Sequence, residues 1–248
     1  MLIDVHCHLD FKEFDADRDA VVERAKDILV VNSTVDVGLV EKGLMLAERY
    51  RNVYCMLGFS ASELDEDKFA RMCKLIKGNR DKIIGLGEIG LDYYWVKDEA
   101  GRQVEREHFT TLVKLSRDLK LPAVVHSRDA ESECINILAG HKVRAIMHCF
   151  SGTLGEALDA IDFGCLISVP TNVVYAKSKQ TLVGDLPLES IVLETDAPFL
   201  SPVRGQRNEP ANVRAAALKV AEIRGVDVST VEEVTSKNAI SFLGIKYG

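Results

Sequence analysis

The most regular feature of the chain is a series of short apolar runs rich in Val, Ile and Leu. Eight of them can be read along the sequence: LIDVH (2–6), ILVVNST (28–34), VYCMLG (53–58), KIIGLGE (82–88), PAVVH (122–126), VRAIMH (143–148), GCLISV (164–169) and SIVLETD (190–196). Between them lie longer segments with an apolar residue every three or four positions, such as 39–50 and 109–119, which predict amphipathic helices. Strand then helix, repeated along the chain, predicts a parallel sheet.

Eight strand and helix units in 248 residues favour an α/β fold in which the sheet closes into a (β/α)8 TIM barrel. Open doubly wound sheets more often carry about five to seven strands. No GxGxxG follows a predicted strand, and the glycine spacing of GLGEIGLD (85–92) does not match that motif. Helices predicted at 211–224 and 228–242 would complete the outer ring. No proline- or serine-rich linker interrupts the series, so we predict a single domain over residues 1–248.

Composition and charge narrow the range of partners. With 47% hydrophobic and 28% charged residues, the chain is typical of a globular protein. A formal net charge of -7 argues against a long nucleic-acid-coating surface but is compatible with an enzyme that grips only a strand end. The sequence opens without signal-peptide blocks and holds no apolar stretch that could span a bilayer. We therefore expect a cytoplasmic protein with no membrane association and no obligate protein partner.

Histidines and carboxylates stand at the ends of the predicted strands. They are His6 and His8 in the first, Glu88 in the fourth, His126 in the fifth, His148 in the sixth and Asp196 in the eighth. The carboxyl ends of barrel strands open on one face, so these side chains should converge there. Four imidazoles and two carboxylates in one cavity would be costly to bury without a cation. The set therefore predicts a metal centre.

The spacing within HCH suggests how the ligands are shared. Alternation along a strand directs His6 and His8 to the same side and Cys7 to the other, into the barrel wall. We expect Asp196 to complete this first site. Glu88, His126 and His148 would form a second site, with Glu88 bridging the two. By the same reasoning Cys149, which follows His148, is expected to be a core thiol.

Mixed histidine and carboxylate ligands suit Zn, Mn, Co, Ni or Mg without selecting among them. Two such ions would polarise a phosphoryl or carbonyl oxygen and make hydroxide available near neutral pH. Hydrolysis is the expected chemistry. Asp196 is the natural candidate to hold the proton of the attacking water, and Glu88 is its catalytic partner as the bridging carboxylate.

At these residues the chain resembles the TatD family of metal-dependent hydrolases within the amidohydrolase superfamily. The motifs that carry the resemblance are DVHCHLD (4–10), GEIGLD (87–92), HSR (126–128), HCFSG (148–152), ETDAPFL (194–200) and RNEPANV (207–213). The resemblance implies a TIM barrel with one to three divalent ions, held by the same six ligands. It further implies a DNase with 3′-to-5′ exonuclease action on single-stranded DNA or RNA ends. Residues available to the phosphate would be Arg128, Arg204, Arg207 and Asn208.

The chain departs from the family at one motif. The family usually carries GxHP after the third strand, whereas this sequence has Gly58-Phe59-Ser60-Ala61. Ser60 or Ser62 could supply a hydroxyl there but no proton near neutral pH. An amide or ester hydrolase of deacylase or lactonase type is therefore the alternative, because a two-metal centre also attacks acyl carbons. A metal-binding barrel without catalysis is a third possibility, and it would require a closed coordination shell.

Overall fold

The apolar runs form the barrel strands. A computed structural model describes residues 1–245, within which eight parallel strands pair in chain order. The strands are β1 (Leu2–Cys7), β2 (Ile28–Thr34), β3 (Val53–Leu57), β4 (Gly85–Asp92), β5 (Ala123–Arg128), β6 (Ala145–Met147), β7 (Leu166–Pro170) and β8 (Ile191–Glu194). The helices are α1 (Arg18–Arg24), α2 (Val40–Arg49), α3 (Glu66–Gly78), α4 (Glu99–Leu119), α5 (Glu131–His141), α6 (Leu154–Asp162), α7 (Lys177–Asp185), α8 (Val213–Arg224) and α9 (Val228–Leu243). The predicted TIM barrel is confirmed.

Two backbone bonds tie the first strand to the chain that follows the last one. The amide of Asp196 donates to the carbonyl of His6 at 2.9 Å, and the amide of His8 donates to the carbonyl of Ala197 at 2.7 Å. These bonds bring three residues of the predicted ligand set, His6, His8 and Asp196, close together. Closure of the barrel and assembly of the site therefore depend on the same backbone contacts.

The end of the barrel at which the strands begin is filled with apolar side chains. Buried residues near the strand starts, among them Ile3, Leu29 and Val124, pack with Ala239 and Leu243 of α9. Burying each large aliphatic side chain contributes about 1.5–3 kcal/mol. Helix α9 therefore closes the end where the strands begin, and the end where they finish is left for the site.

Among the helices of residues 1–245, none has the length and apolar character needed to cross a membrane.

Some predicted strand ends were misplaced. Glu88 and His126 do not close their strands, because β4 and β5 continue to pair as far as Asp92 and Arg128. His148 follows the last residue of β6, and Asp196 lies two residues beyond β8. The glycines of GLGEIGLD hid the second half of β4, since they interrupt its apolar pattern.

Candidate metal centre

Irregular strand register lies next to two of the predicted ligands. The pairing of β1 with β2 shifts between Asp4 and Cys7, where His6 lies. The pairing of β4 with β5 shifts between Leu86 and Ile89, where Glu88 lies. Irregularities of this kind change the direction of side chains and are common beside active sites. They explain how Glu88 reaches the cavity from the middle of a strand.

Glycines hold the backbone of Glu88 in place. A Cβ added to Gly58 would lie 2.1 Å from the carbonyl oxygen of Glu88. Gly90 has φ near +153°, and a Cβ there would lie 1.9 Å from the carbonyl of His126. Only glycine permits approaches this close at these positions. The backbones of β3, β4 and β5 therefore fix Glu88 from both sides.

The structure brings all six predicted ligands together. The Nε2 atoms of His6 and His8 are 3.3 Å apart. Oε2 of Glu88 lies 3.3 Å from the first and 3.6 Å from the second, and its Oε1 lies 2.8 Å from Nδ1 of His126. Oδ1 of Asp196 lies 3.6–3.8 Å from the Nε2 atoms of three histidines, namely His6, His8 and His148.

These atoms form overlapping groups. Within each of three triplets the ligand atoms lie within 4.8 Å of one another: His6, His8 and Glu88; His6, His148 and Asp196; Glu88, His126 and His148. The last triplet is the predicted second site. Glu88 belongs to two of the triplets, as expected of a bridging carboxylate. His6 and His148 are shared as well, so the division of ligands is less strict than the sequence suggested.

In three of the four imidazoles the partner of the outer nitrogen leaves the inner nitrogen as the atom that would bind a cation. Nδ1 of His8 lies 2.8 Å from the carbonyl of Ser33, Nε2 of His126 lies 2.9 Å from Asp92, and Nδ1 of His148 lies 2.9 Å from Glu194. These partners only accept hydrogen bonds, so they place the ring proton on the outer nitrogen. The inner lone pairs then face carboxylate oxygens. A divalent cation fits this arrangement of donors.

The carboxylates also control the protonation of the rings. Burial disfavours the charged form of His126, but the negative charges of Glu88 and Asp92 outweigh it and raise its pKa to about 10. For His8, burial is likewise outweighed by Asp196 and Glu88, and the pKa rises to about 9. Conversely, the histidines overcome the effect of burial on Glu88 and hold its pKa well below the ordinary value. The site is therefore built around ionised carboxylates that attract positive charge.

Asp196 is held by a buried network behind it. Its backbone has φ near +55°, a conformation that Asp tolerates better than most residues. The preceding Thr195 donates its amide and hydroxyl to Asp4 at 2.8 and 2.5 Å. Asn208 donates its amide nitrogen to the carbonyl of Thr195 at 2.8 Å and to the hydroxyl of Thr171 at 2.9 Å. Asn208, which the resemblance offered to the phosphate, thus supports the backbone beside Asp196.

Two cations share a cavity with the ligands. The cavity has a volume of about 290 Å³ and contains three of the ligands, His126, His148 and Asp196, together with Arg128 and Lys179. Lys179 Nζ donates to the carbonyls of Cys149 and Phe150 at 3.1 and 2.9 Å. Among residues 1–245, neither cation forms an ion pair. The cavity therefore places two cations, neither of them in an ion pair with a described residue, beside the metal centre.

The other two predicted arginines lie elsewhere. Arg207 donates to both carboxylate oxygens of Asp17 at 2.7 Å, so its charge is already compensated. Arg204 is exposed and lies over the ring of Tyr175, with 4.4 Å between the guanidinium carbon and the ring centre. Neither lines the cavity that holds Arg128. Lys179, which the sequence did not single out, lines that cavity instead.

The two cysteines next to ligands differ in environment. Cys7 is fully buried, and its thiol approaches the carbonyl of Val31 at 3.6 Å, as expected for the barrel wall. The prediction for Cys149 was wrong, because this residue lines the cavity with Lys179. Strand β6 ends at Met147, so strand alternation no longer governs residue 149. Burial raises the pKa of its thiol to about 12, which makes it a poor nucleophile.

The loop that departs from the family motif lies over the third strand. Phe59 is buried, and its amide donates to the carbonyl of Glu88 at 2.9 Å. Ser60 and Ser62 line a neighbouring cavity of about 370 Å³. His108 of α4, which is not among the predicted ligands, lies behind this loop with its ring stacked on Phe69 at 3.8 Å. The loop therefore presents hydroxyls to its cavity, and His108 belongs to the packing between helices.

Replacing Glu194 by glutamine is expected to weaken metal binding by about 10- to 100-fold, the usual cost of losing a partner behind a ligand. One oxygen of Glu194 accepts from the amide of Cys149 at 2.8 Å, and the other accepts from His148 and Ser168 at 2.9 and 2.6 Å. Glutamine has only one acceptor oxygen for these donors. Calorimetric titration with Mn²⁺ measures the effect. Glu189→Gln, at an exposed position just before β8, is the control, and equal affinities in both variants would contradict the assignment.

Glu105, on α4, should make the stability of the protein depend on pH. Burial raises its pKa from 4.5 to about 7, so between these values the folded chain keeps a proton that the unfolded chain releases. The free energy of unfolding therefore falls as pH rises through this window. The amide of Asp92 donates to Glu105 at 3.0 Å, and the glutamine of Glu105→Gln can still accept this bond. The variant should therefore reduce the dependence of stability on pH. Urea titrations at pH 5, 6, 7 and 8 measure the free energy of unfolding of this variant and of the exposed control Glu107→Gln. If the free energy of unfolding of Glu105→Gln changes with pH as in the unaltered protein, the role of Glu105 is refuted.

Comparisons with known proteins agree with the fold and show the family of the chain. The family model described as TatD related DNase matches residues 3–244. An uncharacterised metal-dependent hydrolase of Methanocaldococcus jannaschii is 37% identical, covering 97% of this chain and 96% of the relative. The human deoxyribonuclease TATDN3 is 34% identical, covering 96% and 93%. The crystal structure of YJJV, a TatD homologue from Escherichia coli K12, superposes with a TM-score of 0.89 at 25% identity, covering 99% and 98%.

Proposed function

The chain belongs to the TatD family of metal-dependent hydrolases, and we propose that it is a phosphodiesterase that releases nucleotides from the 3′ ends of single-stranded DNA or RNA. One observation carries the proposal. The cations Arg128 and Lys179, neither of which forms an ion pair within residues 1–245, share a cavity with ligands of the metal centre. A phosphate group carries the charge that these cations and a divalent metal would together bind. A relative named as a deoxyribonuclease supports the same substrate class.

Each part of the site has a separate task in this reaction. A divalent ion held by the six ligands would polarise a phosphoryl oxygen and lower the pKa of water towards neutrality. Arg128 and Lys179 hold the phosphate oxygens. Burial opposes ionisation of Asp196, but His8 and the other histidines outweigh it and lower its pKa. Asp196 is thus ionised near neutral pH and accepts the proton of the attacking water, while Glu88 keeps the imidazoles on both sides in position.

Digestion of a labelled single strand tests the proposal. A 5′-fluorescent oligonucleotide incubated with the protein and Mn²⁺ or Mg²⁺ should shorten stepwise from its 3′ end. EDTA should stop the reaction, and added Mn²⁺ should restore it. The same oligonucleotide with a 3′-terminal phosphorothioate should shorten more slowly. An oligonucleotide that stays intact with every metal, or is cut equally in EDTA, would overturn the proposal.

An amide or ester hydrolase is the second candidate. The loop at Ser60 and Ser62 favours it, because this loop supplies hydroxyls and no imidazole to its cavity. Water activated at the same metal centre would attack an acyl carbon. Turnover of N-acyl amino acids or lactones, with nucleotide release at background, would replace the first candidate by this one.

A further inference from the structure

Two aromatic side chains stand exposed directly after β4. Trp95 is 66% exposed and Tyr94 is 42% exposed. Trp95 is the single tryptophan of the chain, and its ring contacts the ring of Tyr94 edge-on, with 5.0 Å between centres. An exposed pair of large aromatic rings beside a charged cavity is a surface on which a planar group can stack.

The loop that carries these rings is fixed to the metal centre. Asp92 accepts through Oδ1 from the backbone amides of Tyr94 and Trp95 at 3.1 and 3.0 Å. Its other oxygen lies 2.9 Å from Nε2 of the ligand His126. One carboxylate therefore orients a metal ligand and the aromatic pair together. The backbone that carries the rings is thereby tied to the metal centre.

The aromatic pair is also continuous with the anion site. The guanidinium of Arg128 lies over the ring of Tyr94, 3.6 Å from its centre. Arg128 lines the cavity that contains His126, His148 and Asp196. Metal ligands, a cation without an ion pair to a described residue and exposed rings thus follow one another along the rim of the barrel. This order matches the order of groups in a nucleotide, in which a phosphate is joined through a sugar to a planar base.

We propose that Tyr94 and Trp95 form a nucleobase subsite, in which Trp95 stacks on the base of the nucleotide whose phosphate lies at Arg128. The subsite rests on the proposed nuclease function and adds to it the group that holds the base. Aromatic stacking accepts every base, because each presents a flat face. The subsite therefore favours single-stranded ends of any sequence over ligands that carry a phosphate but no base.

Two probes separate the base from the phosphate. The Mn²⁺-loaded protein is titrated with deoxyadenosine 5′-monophosphate and with deoxyribose 5-phosphate, while the emission of Trp95 and the heat of binding are recorded. The nucleotide should quench the emission saturably, and the sugar phosphate should not. Trp95→Ala should raise the Kd of the nucleotide by about 5- to 100-fold and leave that of the sugar phosphate within about twofold. Trp95→Phe keeps a flat ring, so its Kd for the nucleotide should lie between those of the unaltered protein and Trp95→Ala.

Leu218→Ala removes an equally exposed apolar side chain from α8 (59% exposed) and should change neither Kd. Equal losses for both probes in Trp95→Ala, or no loss for the nucleotide, would overturn the subsite. Failure of the nucleotide to bind the unaltered protein would overturn it too. If the oligonucleotide is digested but nucleotide affinity does not depend on Trp95, the subsite fails and the nuclease function stands. If nucleotide affinity depends on Trp95 but no strand is digested, the function fails and the subsite stands.

Discussion

Asp196→Asn is expected to lower kcat for nucleotide release by about 10²- to 10⁴-fold, the range usual for the loss of a positioned proton acceptor. Asparagine keeps the shape of the side chain but removes its charge. In the unaltered protein Oδ1 of Asp196 lies 3.6–3.8 Å from three imidazoles. The variant would neither accept the proton of water nor balance the positive charge gathered there. Because the backbone bonds of residue 196 to His6 and Phe199 involve no side chain, the fold should persist.

The measurement is single-turnover cleavage of the labelled oligonucleotide at saturating Mn²⁺, since saturation separates the chemical step from metal affinity. Asp185→Asn, at the end of α7 and exposed, is the matched control and should retain full activity. Thermal unfolding of both variants verifies that they fold. Activity of Asp196→Asn within about threefold of the unaltered protein would assign proton acceptance to another group.

The sequence was sufficient to predict the barrel and the residues that converge at its open end. The reason is geometric: strands in a parallel barrel all end on one face, so polar residues near strand ends could be grouped without coordinates. His6 and His8 followed from alternation along β1. Glu88 was grouped with the rest because the apolar pattern predicts it at the end of the fourth strand. It stands inside β4 instead, and the register shift between Leu86 and Ile89 still directs it to the site.

The residues behind the ligands were beyond sequence reasoning. Glu194 and Asp92 bind the outer nitrogens of His148 and His126, from 46 and 34 residues away along the chain. Which imidazole pairs with which carboxylate is decided by neighbouring strands and leaves no local pattern. A weak signal was present, because each is a charged residue in a largely apolar strand (SIVLE and GLGEIGLD). A buried carboxylate of this kind requires a partner.

The cations illustrate the same limit. Arg207 belongs to a motif of the family, yet Asp17, which lies 190 residues earlier, binds both of its terminal nitrogens. Lys179 lies on α7 with no motif around it, yet it lines the cavity of the metal centre. A positive residue is available to a substrate only if no carboxylate compensates it. That property depends on contacts distant in sequence.

Arg128→Ala and Lys179→Met are each expected to raise KM for an oligonucleotide by about 10- to 100-fold, the usual effect of removing a hydrogen bond to a charged group. Since neither cation forms an ion pair within residues 1–245, no salt bridge is broken when it is removed. Each loss should also lower the slope of log affinity against log salt concentration by about one. Lys177→Met, at an exposed position of the same helix α7, is the matched control and should change neither quantity.

Lys179 requires one further variant, because its ammonium also bonds the carbonyls of Cys149 and Phe150, directly after the ligand His148. If Lys179→Met lowers Mn²⁺ affinity as well as raising KM, its main effect is on that loop. If Mn²⁺ affinity is kept and Lys179→Arg restores KM, the charge itself binds the substrate. A rise in KM for oligonucleotides but not for an uncharged ester would show that the two cations select phosphate. Equal changes for both substrates would show that Arg128 and Lys179 only shape the cavity. The positive charge of these two residues would then no longer support a phosphodiester as the substrate.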